Sequence, residues 1–276
     1  ALQSPNSTIQ GDRTIFGIMP DWNPAEIIGT KPRQLANSLY KELILDEIWA
    51  KQRAEYGYRD VRPHPLLISF AGHSYIDVRA SFNSFIPADL NNKLAKKLVE
   101  FCISWLENHP EDHDKVEFNV IPTCYDLDFD RWTKRFEFSG IFNNDEILEI
   151  KECFRSLTFN AILRGDTDLQ KVNSLDNRFY KLKKSNINKL DKVFALLDDA
   201  KVFGTLPFAH LARSAFISVS LLNSAVANSI ISEKAREDFL YSIRTVSHDL
   251  TNDAQDCSKG KLDWSEFVER YGHLRP

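Results

Sequence analysis

The spacing of apolar positions changes along the first half of the chain. Residues 33–56 place leucines and a tryptophan near helical spacing with charges between them, which predicts an amphipathic helix. The segment "YIDVRASFNSF", residues 75–85, instead alternates apolar and polar side chains after the short apolar run "HPLLISFAG". This alternation predicts paired strands with one solvent-facing side, which carries Asp77 and Arg79.

Helical spacing then returns, and strand signals end near residue 130. Residues 90–108 predict a helix, and "KVEFNVIPTCYDLDF" again alternates like a strand. We therefore predict an α+β fold in which residues 1–130 form a mixed subdomain with a small antiparallel sheet and residues 131–276 form an all-helical subdomain, both in one compact body. The helix patterns of the second part lie at residues 130–138, 143–163, 166–184, 187–201, 205–230, 232–256 and 262–271.

Composition narrows the partners and the compartment. Hydrophobic residues make up 43% of the chain and aromatic residues 12%, which excludes a disordered protein. A net charge of −4 comes from 35 basic and 39 acidic residues spread along the chain, so we expect neither nucleic acid nor a membrane as partner. No apolar run approaches the roughly 18 residues of a membrane span. The four cysteines lack zinc or disulfide spacing, which favours the cytoplasm.

Several classes of site lack their sequence motif. There is no GxxxxGK[ST] and no GxGxxG, so we expect no nucleotide cofactor in this chain. The GxSxG motif of serine hydrolases is also absent. Asp126, Asp128 and Asp130 alternate in "YDLDFDR", but Arg131 stands where a calcium loop needs glycine. "NDAQDCSKGKLDWSEF" also misses the required offsets. We predict no metal site, and solvated acidic turns explain both segments.

Two helical segments carry arginine and histidine on one face. "TLPFAHLARSAFISVSLLNSAV" includes His210 and Arg213, and "FLYSIRTVSHDL" includes Arg244 and His248 four residues apart. Arginine forks bind carboxylate or phosphate groups, and histidine moves a proton near neutral pH. These four residues are candidate catalytic groups. Interhelical hydrogen bonds and a solvated surface are the alternative.

The segment "PDWNPAE" combines rigidity with polarity. Prolines on either side of Asp21 and Asn23 fix the backbone, and Glu26 follows in the first turn of a helix. A rigid loop holds side chains in place for a ligand, so Asp21, Asn23 and Glu26 are candidate binding residues. The alternative is a tight connection in which Asp21 or Asn23 caps the helix that starts at Ala25.

Longer segments resemble a known family. "GIMPDWNPAEIIGTKPRQLANSLYKELI", "YIDVRASFNSFIPADL", "HDKVEFNVIPTCYDLDF", "FGTLPFAHLARSAF" and "FVERYGHLRP" are similar to the middle region of bacterial phosphoenolpyruvate synthase-like and pyruvate phosphate dikinase-like proteins. That family includes rifampicin phosphotransferases, and the resemblance extends to the glutamine kinases of capsular phosphoramidate synthesis. The similarity covers nearly the whole chain.

The resemblance implies a phosphohistidine relay. In such proteins an ATP-grasp domain uses ATP and Mg²⁺ to phosphorylate a histidine on a mobile domain, which delivers the phosphoryl group to an acceptor on the central region. Neither flanking domain is in this chain, whose loop-like start and its end at "RYGHLRP" are those expected of a middle piece. The expected partners are therefore a small-molecule acceptor and those two domains.

Residue chemistry assigns provisional roles for an L-glutamine acceptor. Asp77 and Arg79 on the predicted strand, with Asp21 and Glu26, would bind its ammonium and carboxylate groups. Arg213 and Arg244 would meet the phosphoryl group, and His210 or His248 would orient or deprotonate the nucleophile. Two alternatives remain at this point: a different acceptor such as pyruvate, a sugar or an antibiotic, and a non-catalytic scaffold that positions neighbouring domains.

Overall fold

The structure is a computed structural model that describes residues 8–18, 21–163, 165–243, 245–272 and 274, without the side chains of residues 165 and 166. The chain divides into two compact units, Ala1–Leu221 and Leu222–Pro276. The division expected after residue 130 therefore lies inside the first unit, where the mixed region and the helices that follow it pack together.

Helices and three short strands make up the first unit where it is described. The strands are β1 (Phe16–Gly17), β2 (Leu67–Phe70) and β3 (His73–Asp77). The helices up to residue 108 are α1 (Pro24–Ile27), α2 (Gln34–Tyr40), α3 (Ile48–Tyr56), α4 (Val78–Asn83) and α5 (Asn92–Asn108). The later ones are α6 (Asp130–Ser139), α7 (Asn144–Ile162), α8 (Gly165–Asn173), α9 (Leu175–Lys184), α10 (Lys189–Asp199) and α11 (Leu206–Ala227), whose last six residues belong to the second unit.

The sheet is antiparallel, with strand order β1-β3-β2 among the described residues. Phe16 lies opposite Asp77, and a tight turn joins β2 to β3. Ala71 and Gly72 in that turn have φ of 50° and 82°, the left-handed pair that a two-residue hairpin turn requires. The predicted α+β fold, with its small sheet followed by helices, is confirmed.

The predicted strand at residues 75–85 is wrong beyond Asp77. Asp77 ends β3, and its carboxylate accepts a hydrogen bond from the backbone N–H of Ala80, which caps α4. Every residue of α4 is buried, polar ones included. The alternation therefore reflects a short helix buried on all sides, and not a sheet with one face in water.

The predicted strand in "KVEFNVIPTCYDLDF" is also wrong. Val116–Val120 forms a π-helical turn, closed by the hydrogen bond from Ile121 N–H to the carbonyl of Val116. Val116 and Val120 point into the core from this turn, whereas Phe118 is exposed. Two further π-helical segments extend helices, at Lys41–Leu45 after α2 and Ala200–Thr205 before α11.

Two of the long predicted helices are interrupted. The pattern over residues 166–184 is divided between α8 and α9 at Ser174, and the one over residues 232–256 is divided in the second unit. That unit contains α12 (Glu233–Ser242), α13 (Val246–Ser258) and α14 (Trp264–Tyr271). Side chains of Ser232, Thr245 and Asp263 cap their first turns. Local caps therefore define these three helices.

Three apolar clusters hold the first unit together. One surrounds α5, a second lies beneath the sheet around Trp49 and Ile76, and a third joins Tyr58, Leu157 and Ile217. Full burial of one large apolar side chain contributes about 1.5–3 kcal/mol. The third cluster packs α7 and the middle of α11 against the end of α3, and this packing fixes the position of α11 in the first unit.

One helical run meets a membrane-span test by length and composition. It is Lys189–Ala227, where the most apolar window has a mean hydropathy of 1.2 and is 33% buried, within the part of the chain that the structure describes. A helix in the core of a soluble protein meets the same criteria, so this run is weak evidence for a membrane span. The cytoplasmic location stays a prediction.

Candidate functional site

A cleft of about 400 Å³ opens within the first unit. This volume lies in the range of small-molecule sites. Four chain segments build it: the loop and helix at residues 21–27, the middle of α3, the turn at residues 114–118, and the N-terminal half of α11. Its lining residues are Asp21, Trp22, Asn23, Glu26, Ile27, Gln52, Arg53, Asp114, Lys115, Val116, Glu117, Phe118, Phe208, Ala209, Ala212, Arg213 and Phe216.

The loop at one wall has an unusual backbone. Trp22 and Asn23 have φ of 53° and 34°, and two consecutive non-glycine residues in the left-handed region cost roughly 1 kcal/mol each. Tyr40 holds this conformation by donating its hydroxyl to the carbonyl oxygen of Trp22. Pro24 then starts α1. Such strain clusters at functional sites, where surrounding structure maintains it.

The side chains of this loop do not cap α1. Asn23 occupies the cap position without a side-chain bond to the helix backbone, and its amide donates to Glu26 Oε2 at 3.1 Å. Asp21 bonds to other elements of the fold. The capping alternative is therefore not the arrangement observed, and Asn23 and Glu26 line the cleft as a linked pair.

A buried ion pair joins the loop to α3. Arg53 Nη2 donates to Asp21 Oδ1 at 2.8 Å, and Ser81 of α4 donates to Asp21 Oδ2 at 2.8 Å. Arg53 Nη1 reaches Ser84 Oγ at 2.6 Å, and its guanidinium lies 3.7 Å from the centre of the Phe85 ring. Both charges are thus compensated, as burial requires.

A second ion pair forms the opposite wall. Arg213 of α11 donates from Nη1 and Nη2 to the two carboxylate oxygens of Glu117 at 2.5 and 3.2 Å. Burial alone would raise the pKa of Glu117, but the attraction and hydrogen bonds of Arg213 outweigh it and lower that pKa. Burial likewise opposes the charge of Arg213, and Glu117 outweighs it and raises the pKa of that guanidinium. The pair stays ionised at neutral pH.

The outer part of the cleft is exposed and mixed in chemistry. Glu26, Asp114 and Lys115 supply charges of both signs. Phe118 and Phe216 face each other with ring centres 5.8 Å apart. Charges of both signs beside aromatic surface suit a small zwitterionic or polar ligand with a short apolar stem.

Four of the residues expected in a site line this one cleft: Asp21, Asn23, Glu26 and Arg213. Asp77 and Arg79 do not line it, because the solvent-facing strand that was predicted to present them is not formed: Asp77 ends β3 and Arg79 lies in the buried helix α4. Both side chains are buried. Burial would raise the pKa of Asp77, but hydrogen bonds from His64, Thr14 and the backbone of Ala80 lower it.

The candidate histidines lie elsewhere. His210 is fully buried on α11, with Nδ1 3.1 Å from Asp168 Oδ1 and Nε2 3.6 Å from Glu55 Oε2. It is not among the lining residues and connects α11 to α8 and α3. His248 is exposed on α13 of the second unit, beside Asn252. Arg244 lies outside the described residues.

Sequence reasoning missed several lining residues. Arg53 and Gln52 lie in a segment that the sequence predicts only as an amphipathic helix, and Glu117 lies in a segment that it predicts as a strand. Arg213 was the one sequence signal for a buried acidic partner such as Glu117, because an arginine on an apolar helix face needs a counter-ion. The sequence does not indicate that its partner lies 96 positions away.

No group of three or more histidine, cysteine, aspartate or glutamate side chains is placed to hold a metal ion in the ranges that the structure describes. Asp126, in the acidic turn, accepts hydrogen bonds from Arg131 at 3.2 Å and Ser220 at 2.7 Å. The acidic turn therefore has protein partners at its first carboxylate.

The fold and the cleft define an α+β unit with a small-molecule-sized site whose lining mixes apolar surface with charged side chains. In comparisons with known proteins, no family model matches the chain, and no curated protein or solved structure matches it. Functional inference therefore rests on the chemistry of the cleft and on the segment resemblance.

Proposed function

We propose that this chain is the acceptor-binding part of an ATP-dependent phosphotransferase that works through a phosphohistidine relay, and that its acceptor is L-glutamine. The central observation in support is that two distant segments predicted to carry site residues, one with Asp21, Asn23 and Glu26 and the other with Arg213, line one cleft of about 400 Å³. Phosphoryl transfer needs positioning and compensation of charge more than covalent chemistry from the acceptor side.

The outer charges suit an amino acid head group. Glu26 and Asp114 are exposed carboxylates that would bind an ammonium, and Lys115 is an exposed cation that would bind a carboxylate. Arg213 would face the incoming phosphoryl group from α11, with Glu117 keeping it oriented until the group arrives. The aromatic pair Phe118 and Phe216 would cover the aliphatic stem.

Residues outside the cleft act in this proposal by positioning. Asp77 caps α4, and α4 carries Ser81, which holds Asp21. His210 fixes α11 against α8, one position after the lining residue Ala209. ATP and Mg²⁺ would bind to other domains of the enzyme, and a mobile phosphohistidine domain would be the partner that reaches this cleft.

Isothermal titration calorimetry with L-glutamine tests the proposal. The wild-type chain should release or absorb heat at millimolar ligand or below, and Glu26→Gln should weaken binding about fivefold to tenfold because the ammonium loses a charged partner. Glu111→Gln, an exposed carboxylate outside the cleft, is the matched control and should change nothing.

Three results would count against the proposal. No heat with L-glutamine, together with none from pyruvate or a sugar, would favour a scaffold. Heat with pyruvate or a sugar but not with L-glutamine would replace the acceptor. Binding of L-glutamine that Glu26→Gln and Glu111→Gln leave equally unchanged would move the site away from this cleft.

A further inference from the structure

The helical hairpin formed by α9 and α10 has a local charge unlike that of the whole chain. Residues 177–190 include five basic side chains and no acidic one, whereas the whole chain has 35 basic and 39 acidic residues. One of the five, Arg178, is compensated by Asp199 Oδ1, which lies 2.6 Å from Nη2. The other four are exposed, without a carboxylate partner among the described residues: Lys181, Lys183, Lys184 and Lys189. This end of the hairpin is therefore a local positive surface.

Large apolar side chains are exposed between these lysines. Six of them have 44–66% of their surface exposed: Phe179, Tyr180, Ile187, Leu190, Val193 and Phe194. Phe179 and Lys183 are four residues apart on α9, and Lys189 and Val193 are four apart on α10, so the members of each pair are neighbours on the helix surface. We call these six side chains and the four lysines the hairpin patch.

Other residues hold the hairpin in place. The guanidinium of Arg178 lies 3.9 Å from the centre of the Phe203 ring, in addition to its pair with Asp199. Lys192 Nζ donates to the carbonyl oxygens at positions 183 and 185, at 3.2 and 3.1 Å, and so joins α10 to the end of α9. Asn188 caps α10. Side chains of the hairpin patch can therefore be substituted without loss of these contacts.

The combination of exposed apolar surface with unpaired lysines distinguishes this patch from other exposed apolar positions. Leu148 of α7 is followed by Glu149, and Phe239 of α12 follows Glu237 and Asp238. Those carboxylates would repel an anionic partner, whereas the hairpin patch attracts one. Helices that lie on anionic membranes combine lysines with large apolar side chains in this way.

The chemistry of the patch favours a lipid surface over other anionic partners. Paired hydrogen bonds to nucleic-acid phosphates or protein carboxylates are made best by arginine, but the four unpaired cations are all lysines, which act as point charges on flexible stems. Ile187, Leu190 and Val193 are aliphatic and offer no ring on which a base would stack. At a membrane they would enter the boundary of the acyl chains while the ammonium groups remain among the head groups.

We propose that the hairpin patch binds the surface of a membrane that contains anionic lipids. The net charge of −4, from which no membrane partner is expected, describes the chain as a whole, and the patch is a local departure from it. Contact through two short helices is peripheral and reversible, and it is compatible with the predicted cytoplasmic location because anionic lipids face the cytoplasm. The patch lies outside the cleft, so its role is independent of the proposed acceptor.

Sedimentation with lipid vesicles tests the lysines. At about 0.1 M salt the chain should bind vesicles made of equal parts of phosphatidylcholine and phosphatidylglycerol, and not vesicles of phosphatidylcholine alone. Each lysine near an anionic surface contributes about fivefold in affinity, so Lys183→Gln/Lys184→Gln should weaken binding roughly twentyfold. The matched control, Lys234→Gln/Lys259→Gln, removes two exposed lysines of the second unit and should weaken binding about twofold at most.

A second pair of variants tests the apolar part of the patch. Phe194→Ser should weaken vesicle binding about fivefold, whereas Phe159→Ser, at an exposed phenylalanine of α7, should not weaken it. The thermal unfolding midpoints of these variants should match wild type. Absence of binding to anionic vesicles, or an equal loss in a patch variant and its control, would overturn the proposal. Binding of a labelled RNA by a chain that leaves the vesicles unbound would also overturn it.

Discussion

The ion pair between Glu117 and Arg213 should contribute more to folding than an ordinary surface pair. Two hydrogen bonds of 2.5 and 3.2 Å join the groups, and their side chains are 15% and 6% exposed. Unit charges 4 Å apart attract by about 4 kcal/mol at an effective dielectric constant near 20. Loss of one partner leaves the other charge buried and uncompensated, which costs about 3–5 kcal/mol.

We therefore expect Glu117→Gln to lower the free energy of unfolding by about 3 kcal/mol. This is the lower end of the range for a broken buried pair, because water in the cleft reaches part of the remaining charge. Arg213→Met should have a similar effect. The double variant should lose at least 2 kcal/mol less than the two single variants together, since it leaves no unpaired charge.

Urea unfolding followed by circular dichroism and by tryptophan fluorescence measures these values, provided that the two transitions coincide. Asp130→Asn is the control, because its contact with Lys151 at 3.0 Å involves an aspartate that is 70% exposed. That variant should change stability by less than about 1 kcal/mol. If Glu117→Gln behaves like Asp130→Asn, the reasoning about a buried pair is refuted.

Further predictions concern pH, backbone, capping and thiols. The folded state lowers the pKa of Glu117, so this carboxylate stabilises the fold fully above roughly pH 4.3, its pKa in the unfolded chain, and the stabilisation is lost as the pH falls through the folded pKa. The free energy of unfolding in urea should therefore fall more steeply with acid in wild type than in Glu117→Gln. At φ 34°, Asn23→Ala should cost about 1–2 kcal/mol in urea unfolding and Asn23→Gly almost nothing; equal losses would contradict the strain. Asp77→Ala should cost about 2–3 kcal/mol in urea unfolding and weaken L-glutamine binding in calorimetry less than Glu26→Gln does, because Asp77 acts on the cleft only through α4; an equal or larger loss of affinity would contradict this positioning role. Burial raises the pKa of Cys124 to about 11 and also that of Cys102, so a thiol reagent at pH 8 should label neither until urea is added, and rapid native labelling would contradict their burial.

Helices were predictable from the sequence because the packing of one helix depends on spacing within a single segment. The pattern over residues 90–108 matches α5, and that over residues 143–163 matches α7, whose start is a capping box between Asn143 and Glu146. Such signals are local. The fold class followed from them and from the alternation that ends in β3.

The two false strands show where local pattern fails. Alternation at residues 78–83 resembles a half-solvated strand, yet Arg79 and Asn83 bond to backbone carbonyl groups inside the fold. Polar residues that are satisfied internally look the same in a sequence as polar residues in water. The π-helical turn at Val116–Val120 has no sequence pattern of its own, because tertiary contacts rather than propensity stabilise it.

Only part of the cleft lining could be predicted from the sequence, for a related reason. Asp21, Asn23 and Glu26 are adjacent along the chain, and a rigid proline-bounded segment marks them. The partners Arg53 and Glu117 come from elements 32 and 96 positions from the groups that they bind. A single sequence carries no record of such long-range pairing, so only the folded structure brings these residues together.

The position of L-glutamine bound to the chain, seen by crystallography after soaking, tests the central claim most directly. We predict ligand density between α11 and the loop at residues 21–27, with the head group at Glu26 and Lys115. Density at another surface, or an unoccupied cleft at a concentration that saturates binding in solution, would contradict the account.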